Sequence, residues 1–176
     1  MITSQIETYL STSQIQNRVK ELGAEISSDY QNEEVVIIGV LNGSFIFCAD
    51  LVRSITSPCQ VDFLSASSYG EGTVSSGEVM IVKDIKIDIK DKHVIIVEDI
   101  IDSGLTLKVL LSKLKERNPK SLEIASFLSK PSRREHQIDV KYVGFEIDDK
   151  FVIGYGLDFA GKFRELPYVG IYHGDV

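Results

Sequence analysis

Apolar residues along this chain fall into two alternating rhythms. Continuous, largely β-branched runs stand at 35–40 (VVIIGV) and 94–97 (VIIV). Short runs that are apolar on both faces read as buried strands of a parallel sheet. Each run is followed by a glycine-containing loop and then by apolar residues at helical spacing. These lie over 45–55 after the first run, and at Leu107, Leu110, Leu111 and Leu114 after the second. Asn118-Pro119 is the stop signal of that second helix. Further strands are expected at 61–66, 122–128 and 142–147. Upstream, Ile15, Val19, Leu22 and Ile26 mark an amphipathic helix over 13–29, with Ser13 and Gln16 as its capping box. Val79, Ile81, Ile85, Ile87 and Ile89 predict a half-solvated antiparallel segment over 79–90. Strands that alternate with helices predict an α/β fold, with a mainly parallel central sheet flanked by helices.

Ligands of open α/β sheets gather at the carboxyl ends of strands, so the loops there carry the candidate chemistry. After the run at 94–97 come Glu98, Asp99 and Asp102, then Ser103, Gly104 and Thr106. A glycine turn entering a helix offers free N–H groups and the positive end of the macrodipole, which suits phosphate. Carboxylates repel phosphate, unless Mg²⁺ bridges them or ribose hydroxyls occupy the acids. The loop therefore suits a ribose phosphate with a metal. A plainer role for Asp102 or Ser103 is the helix N-cap. Three acids after a buried strand weigh against it, because unpaired carboxylates there are costly.

Other segments have bland readings of their own. Leu41-Asn42-Gly43-Ser44 is, taken alone, a connecting turn. From Ser67 the chain reads SSYGEGTVSSG, which fits either a mobile active-site lid over 67–78 or an exposed hairpin connection. Lys130 ends a strand as an ordinary terminal charge, and Ser132-Arg133-Arg134 reads as a basic turn facing solvent. Phe151 and Val152 are core residues by default.

Composition narrows the classes. Lys plus Arg is 19 against 26 Asp plus Glu, a formal net charge of −7, which argues against nucleic acid as the partner. Two cysteines, Cys48 and Cys59, are too few for a disulfide framework and fit a reducing compartment. No apolar run approaches the ~20 residues of a membrane span. The start, MITSQIETYL, lacks the regions of a signal peptide. A soluble cytoplasmic protein without membrane contact is expected. His93, His136 and His173 show no metal spacing and read as structural.

The stretch VEDIIDSGLT, 97–106, resembles the phosphoribosyl-pyrophosphate (PRPP) signature of the type I phosphoribosyltransferases. More narrowly, it is similar to the form found in hypoxanthine (hypoxanthine-guanine) phosphoribosyltransferases. GVLNGSFIF and GFEIDDKFVIGYGLDFAGKFRELPYVG resemble further segments of that family, in the expected order, so the likeness spans 35–172. It implies a single domain over 1–176, with a small hood built from the N-terminal part and roughly 129–176, and a flexible lid.

The implied reaction moves the phosphoribosyl group of PRPP to N9 of hypoxanthine or guanine. By the same resemblance, Leu41, Asn42, Gly43 and Arg164 bind pyrophosphate, Asn42 standing where the family usually has Lys. Glu98 and Asp99 take the ribose hydroxyls and, with Asp158, Mg²⁺. Ser103, Gly104, Leu105 and Thr106 cradle the 5′-phosphate, Leu105 replacing a residue that is often polar. Asp102 is the general base at N7, and Ser68 and Tyr69 cover the reacting sugar. Lys130 reads the 6-oxo group, Phe151 stacks on the base, and the Val152 backbone and Asp158 meet its edge. Relatives are usually dimers or tetramers, so a homodimer or homotetramer is implied. An adenine, xanthine or pyrimidine phosphoribosyltransferase, an RNA-binding regulator of the same fold, and a non-catalytic nucleotide-binding domain are the alternatives.

Overall fold

The computed structural model describes residues 5–68 and 79–174. In chain order the elements are β1 (Ile6–Leu10), α1 (Thr12–Asp29), β2 (Val35–Leu41), α2 (Phe45–Ser54), β3 (Cys59–Ser68) and β4 (Val79–Lys83). They continue with β5 (His93–Ile101), α3 (Leu105–Lys115), β6 (Ser121–Ser129), β7 (Tyr142–Glu146), β8 (Val152–Ile153) and β9 (Val169–Tyr172). The main sheet has the order β4-β3-β2-β5-β6-β7. Its neighbours run parallel except β4, which pairs antiparallel with β3. A second, antiparallel sheet, β1-β9-β8, joins the two ends of the described chain.

Period two sorts the central strands onto two cores. Val35 and Ile37 pack with Leu22, Phe47 and Leu51 on the side of α1 and α2. Val36, Ile38 and Val40 pack with Leu107, Leu110 and Leu114 on the side of α3. The helices that follow β2 and β5 thus cover opposite faces of adjacent strands. Their loops part above the β2–β5 ladder, which opens a crevice at the carboxyl ends. The β8 sheet closes over that crevice: Tyr155 donates to Asp50 Oδ2 of α2 at 2.7 Å.

Several expectations are corrected. The α1 cap is Ser11, not Ser13: its hydroxyl accepts from Gln14 N while Gln14 Oε1 accepts from Ser11 N at 2.9 Å. The strand expected over 79–90 stops at Lys83. Asp62 accepts from the backbone N–H groups of Lys86 and Ile87 and holds 84–90 as a loop, from which Ile85 and Ile89 still reach the core. β5 does not end at Val97 but runs to Ile101, with Glu98 opposite Ser126 and Ile101 opposite Ser129. Glu98 and Asp99 therefore sit on the strand, not in the loop. The half-exposed residues 6–10, which form β1, carry no apolar run that marks a strand. The histidines take structural partners: His93 lies between Glu33 and Ser121, and His173 bonds Glu7.

Candidate active site

The crevice is built where two strands end. Beyond β2 the Leu41–Asn42 peptide is cis. Ser44, fully buried, returns its hydroxyl to Val40 O at 2.6 Å and tightens the turn into α2. Gly43 is required by close approach. A Cβ on it would lie 1.5 Å from Asp99 Oδ2, and a Cβ on Gly156 would lie 2.1 Å from Gly43 O. Backbone of the β2–α2 loop, the Asp99 carboxylate and the turn after β8 are thus in direct contact.

Along β5, the Glu98 and Asp99 carboxyl groups are enclosed, although each residue keeps some exposed surface. Glu98 Oε2 is buried without a hydrogen-bond partner. Burial, and then the neighbouring Asp99, push Glu98 well above the usual carboxylate range. Burial also raises Asp99, opposed by the bond it accepts from Ile100 N at 2.8 Å and by Arg164. An enclosed acid pair with an unused oxygen is a donor set that fits a hard divalent cation. No group of three or more His, Cys, Asp or Glu among the described residues forms a complete cage. Such a cation would need further oxygens from a substrate.

Beyond β5 the backbone turns through Gly104, at φ 87°, into α3. That left-handed φ favours glycine, and a Cβ would also stand 2.9 Å from Ile138 Cδ1 and 3.3 Å from Arg134 Cδ, which would have to shift. Ser103 O accepts from Glu135 N and His136 N at 3.1 and 3.0 Å, so the segment after β6 clamps this loop. First-turn N–H groups of α3 lack intrahelical acceptors, and only Leu105 N has a local one, Ser103 Oγ at 3.4 Å. They face a cavity of about 110 Å³ lined by Glu98 and by residues 100–107. Its size and its donors suit a phosphate group.

The β5–β6 ladder sets Lys130 beside this loop, and Lys130 N donates to Ile101 O at 3.0 Å. Lys130 is 8% exposed, with Nζ 3.3 Å from Asp149 Oδ1. Phe151 is 42% exposed and meets Phe159 edge to face at 5.7 Å, while Val152 is buried in its ladder with Ile171. Arg164 donates to Gly156 O at 2.6 Å and pairs with Asp158 Oδ1 at 2.8 Å; Asp158 Oδ2 accepts from Gly161 N.

The residues singled out in the sequence therefore gather at one end of the sheet, with exceptions. Asp158 belongs to the Arg164 pair and not to the Glu98–Asp99 pair. Ser68 ends β3, while Tyr69 and most of the 67–78 lid fall outside the described residues. The basic turn does face solvent, with Ser132 and Arg133 exposed, but its arginines also turn back onto the site. Arg133 Nε lies 3.0 Å from Asp102 Oδ1, and Arg134 reaches Ser129 Oγ and packs on Gly104. Arg133 and Asp149 were missed because their partners are far apart in sequence; only the β5–β6 and β6–β7 ladders bring them together.

Comparison with known proteins agrees with this layout. The phosphoribosyl transferase domain model matches residues 5–160. The chain is 48% identical over 172 residues to a hypoxanthine-guanine phosphoribosyltransferase of Bacillus subtilis, covering 97% of this chain and 96% of the other. A crystal structure of a hypoxanthine-guanine phosphoribosyltransferase from Bacillus anthracis superposes with a TM-score of 0.90 at 48% identity, covering 94% of this chain and 97% of that one. One of a hypoxanthine phosphoribosyltransferase from Staphylococcus aureus gives 0.93 at 45% identity, covering 97% and 93%. With a model spanning most of its length and relatives this similar, the chain belongs to the phosphoribosyl transferase family, in the branch of the hypoxanthine and hypoxanthine-guanine phosphoribosyltransferases.

Proposed function

We propose that the protein transfers the phosphoribosyl group of PRPP to N9 of hypoxanthine or guanine, releasing pyrophosphate, as a step of purine salvage. One observation carries the choice of base. Lys130, only 8% exposed, follows the β5–β6 ladder and is tied by its backbone N–H to Ile101 O, next to the loop that lines a phosphate-sized cradle. Lysine only donates, so it matches the 6-oxo acceptor and leaves the 6-amino group of adenine unpaired. An unmade pairing in a closed site is expensive.

The remaining groups take roles that their surroundings support. The α3 N-terminus, with Ser103, Gly104, Leu105 and Thr106, holds the 5′-phosphate. Glu98 and Asp99 receive the ribose hydroxyls and Mg²⁺, which would neutralise the departing pyrophosphate. Asp158 is the second metal position, engaged when Arg164 turns from it to the pyrophosphate. The backbone of Leu41, Asn42 and Gly43 donates to the same leaving group; it does so without the usual Lys charge. Asp102 takes the purine proton at N7. Phe151 stacks on the base, the Val152 backbone meets its edge, and Ser68 and Tyr69 exclude water from the reacting sugar. The free thiols and the family resemblance support a cytoplasmic enzyme that works as a homodimer or homotetramer, its subunit number readable by light scattering.

The test is a steady-state assay with PRPP, Mg²⁺ and each purine in turn. Hypoxanthine or guanine should be consumed and adenine left untouched. Turnover of adenine at a comparable rate would overturn the role given to Lys130.

A further inference from the structure

The turn after β6 ties together two groups that the proposed reaction uses on one purine edge. Lys130 Nζ lies 3.3 Å from Asp149 Oδ1. The other oxygen of that carboxylate accepts from Arg133 Nη1 at 3.1 Å. The same guanidinium sets Nε 3.0 Å from Asp102 Oδ1. The line Lys130–Asp149–Arg133–Asp102 is unbroken and alternates in sign. Its spacing is set by backbone. The Pro131–Arg133 3₁₀ turn follows Lys130 directly, and Arg133 N donates to Lys130 O at 3.1 Å. Asp149 stands on the β7–β8 turn, whose Ile147 N is tied to Ser129 O at 2.9 Å.

A 6-oxopurine presents its 6-oxo oxygen and N7 side by side on one edge. An ammonium on a four-carbon stem is a rotatable point charge and needs a second partner to aim it. We propose that Asp149 and Arg133 are positioning residues for this edge: Asp149 aims the Lys130 ammonium at the 6-oxo oxygen, and Arg133, anchored on Asp149, steadies the Asp102 carboxylate beside N7. The inference rests on the roles given above to Lys130 and Asp102. Two further observations support it. Asp102 Oδ1 is buried and has charge contact with Arg133 but no aligned hydrogen bond, so its acceptor direction stays free for a purine N–H. Hydrogen bonds from Arg133, and then from Lys130, hold the Asp149 carboxyl below the usual range. Arg133 and Asp149 are themselves about half exposed, at 52% and 49% of their side chains, and pairs of that kind contribute little to folding. Asn at 149 keeps an oxygen acceptor for the nearly buried Lys130 ammonium, so that change spares the fold.

The test uses the full chain with Mg²⁺, measuring KM for hypoxanthine, KM for PRPP and kcat. Asp149→Asn should raise the hypoxanthine KM about tenfold and leave the PRPP KM within about twofold. In a Lys130→Met background the same change should shift the hypoxanthine KM by less than about twofold, because the group it aims is gone. Arg133→Gln should lower kcat about tenfold in the parent and have little effect in an Asp102→Asn background. Equal effects of Asp149→Asn with and without Lys130, or equal effects on both substrates, would overturn the inference. An unchanged hypoxanthine KM in Lys130→Met alone would instead overturn the base-reading role of Lys130, and the role of Asp149 with it.

Discussion

Gly43→Ala tests how tightly the two halves of the site are built on each other. The new Cβ would lie 1.5 Å from Asp99 Oδ2 and 2.4 Å from its Cγ, where ordinary contact begins at 3.4 Å. About 1.9 Å of separation has to be found. Gly43 itself lies outside the left-handed region, so alanine is acceptable to its backbone and the clash is the whole cost. The loop cannot simply retreat, because Gly156 presses on the Gly43 carbonyl from the other side. The Asp99 carboxylate must turn instead, giving up its bond from Ile100 N. Overpacking of this kind costs about 2 kcal/mol. For a chain of this size that lowers Tm by about 4–8 °C. On the role proposed for Asp99, displacing its carboxylate by more than about 1 Å costs roughly a hundredfold in rate.

Calorimetry and steady-state kinetics with PRPP should therefore show a folded enzyme whose kcat/KM for PRPP has fallen at least about a hundredfold. In the double variant with Asp99→Ala the Tm should recover, since the clash is gone, while activity stays lost. A folded Gly43→Ala protein with activity within about threefold of the parent would refute the reasoning, because the Asp99 position would then not matter.

Three further outcomes are expected. Asp102→Asn should lower kcat about a hundredfold or more with the PRPP KM nearly unchanged; equal turnover would make Asp102 a structural residue. Ser11→Ala removes the hydroxyl that accepts from Gln14 N, keeps the backbone bond from Ser11 N to Gln14 Oε1, and should cost about 1 kcal/mol, read as a Tm lower by about 3 °C with unchanged KM values. Asp29 accepts from Tyr142 Oη at 2.7 Å and from Lys141 Nζ at 2.9 Å, and these bonds, Tyr142 first, lower its pKa. A depressed carboxylate stabilises above its unfolded pKa and loses that contribution as pH falls through the folded value. Urea unfolding of Asp29→Asn should thus show about 1 kcal/mol lost at pH 7, a figure discounted for partial exposure, with the gap closing below about pH 4.

The sequence pattern was most informative where burial is two-sided. β2 and the Val94–Val97 run of β5 are apolar at every position, and α3 follows with a clear apolar stripe. It was least informative where partners are remote. β1 is half exposed, and its neighbour β9 lies at the other end of the chain. The segment after Lys83 alternates like a strand, yet the Asp62 carboxylate turns it into a loop, and no local rule reveals that acceptor. The end of β5 was misplaced for a different reason. Acids disfavour a buried strand, so the apolar pattern alone ends at Val97. Ladder bonds do not depend on side chains, however, and pairing with β6 carries the strand through Glu98 and Asp99. A site that breaks local propensity is what functional pressure on a fold looks like.

Polar satisfaction separates the two ends of the main sheet. At the amino end, His93 bonds Ser121 and Glu33, and Lys120 pairs with Glu33, so each group has a partner. At the carboxyl end the account does not close. Among the described residues, the buried side-chain atoms without a hydrogen-bond partner are Glu98 Oε2, Asp102 Oδ1 and Arg134 Nε. All three border the β5–α3 loop or the segment that clamps it. Folding alone does not favour such atoms, since each unmet buried group costs about 1–3 kcal/mol. The two acceptors line a phosphate-sized cavity and call for a cation or for hydroxyl or N–H donors, while the α3 amides call for an anion. On the roles proposed above, a ribose phosphate with its metal meets Glu98 and the amides, and the purine N–H meets Asp102. A phosphate-only ligand would leave Glu98 unmet, and an RNA-binding surface has no use for buried acids.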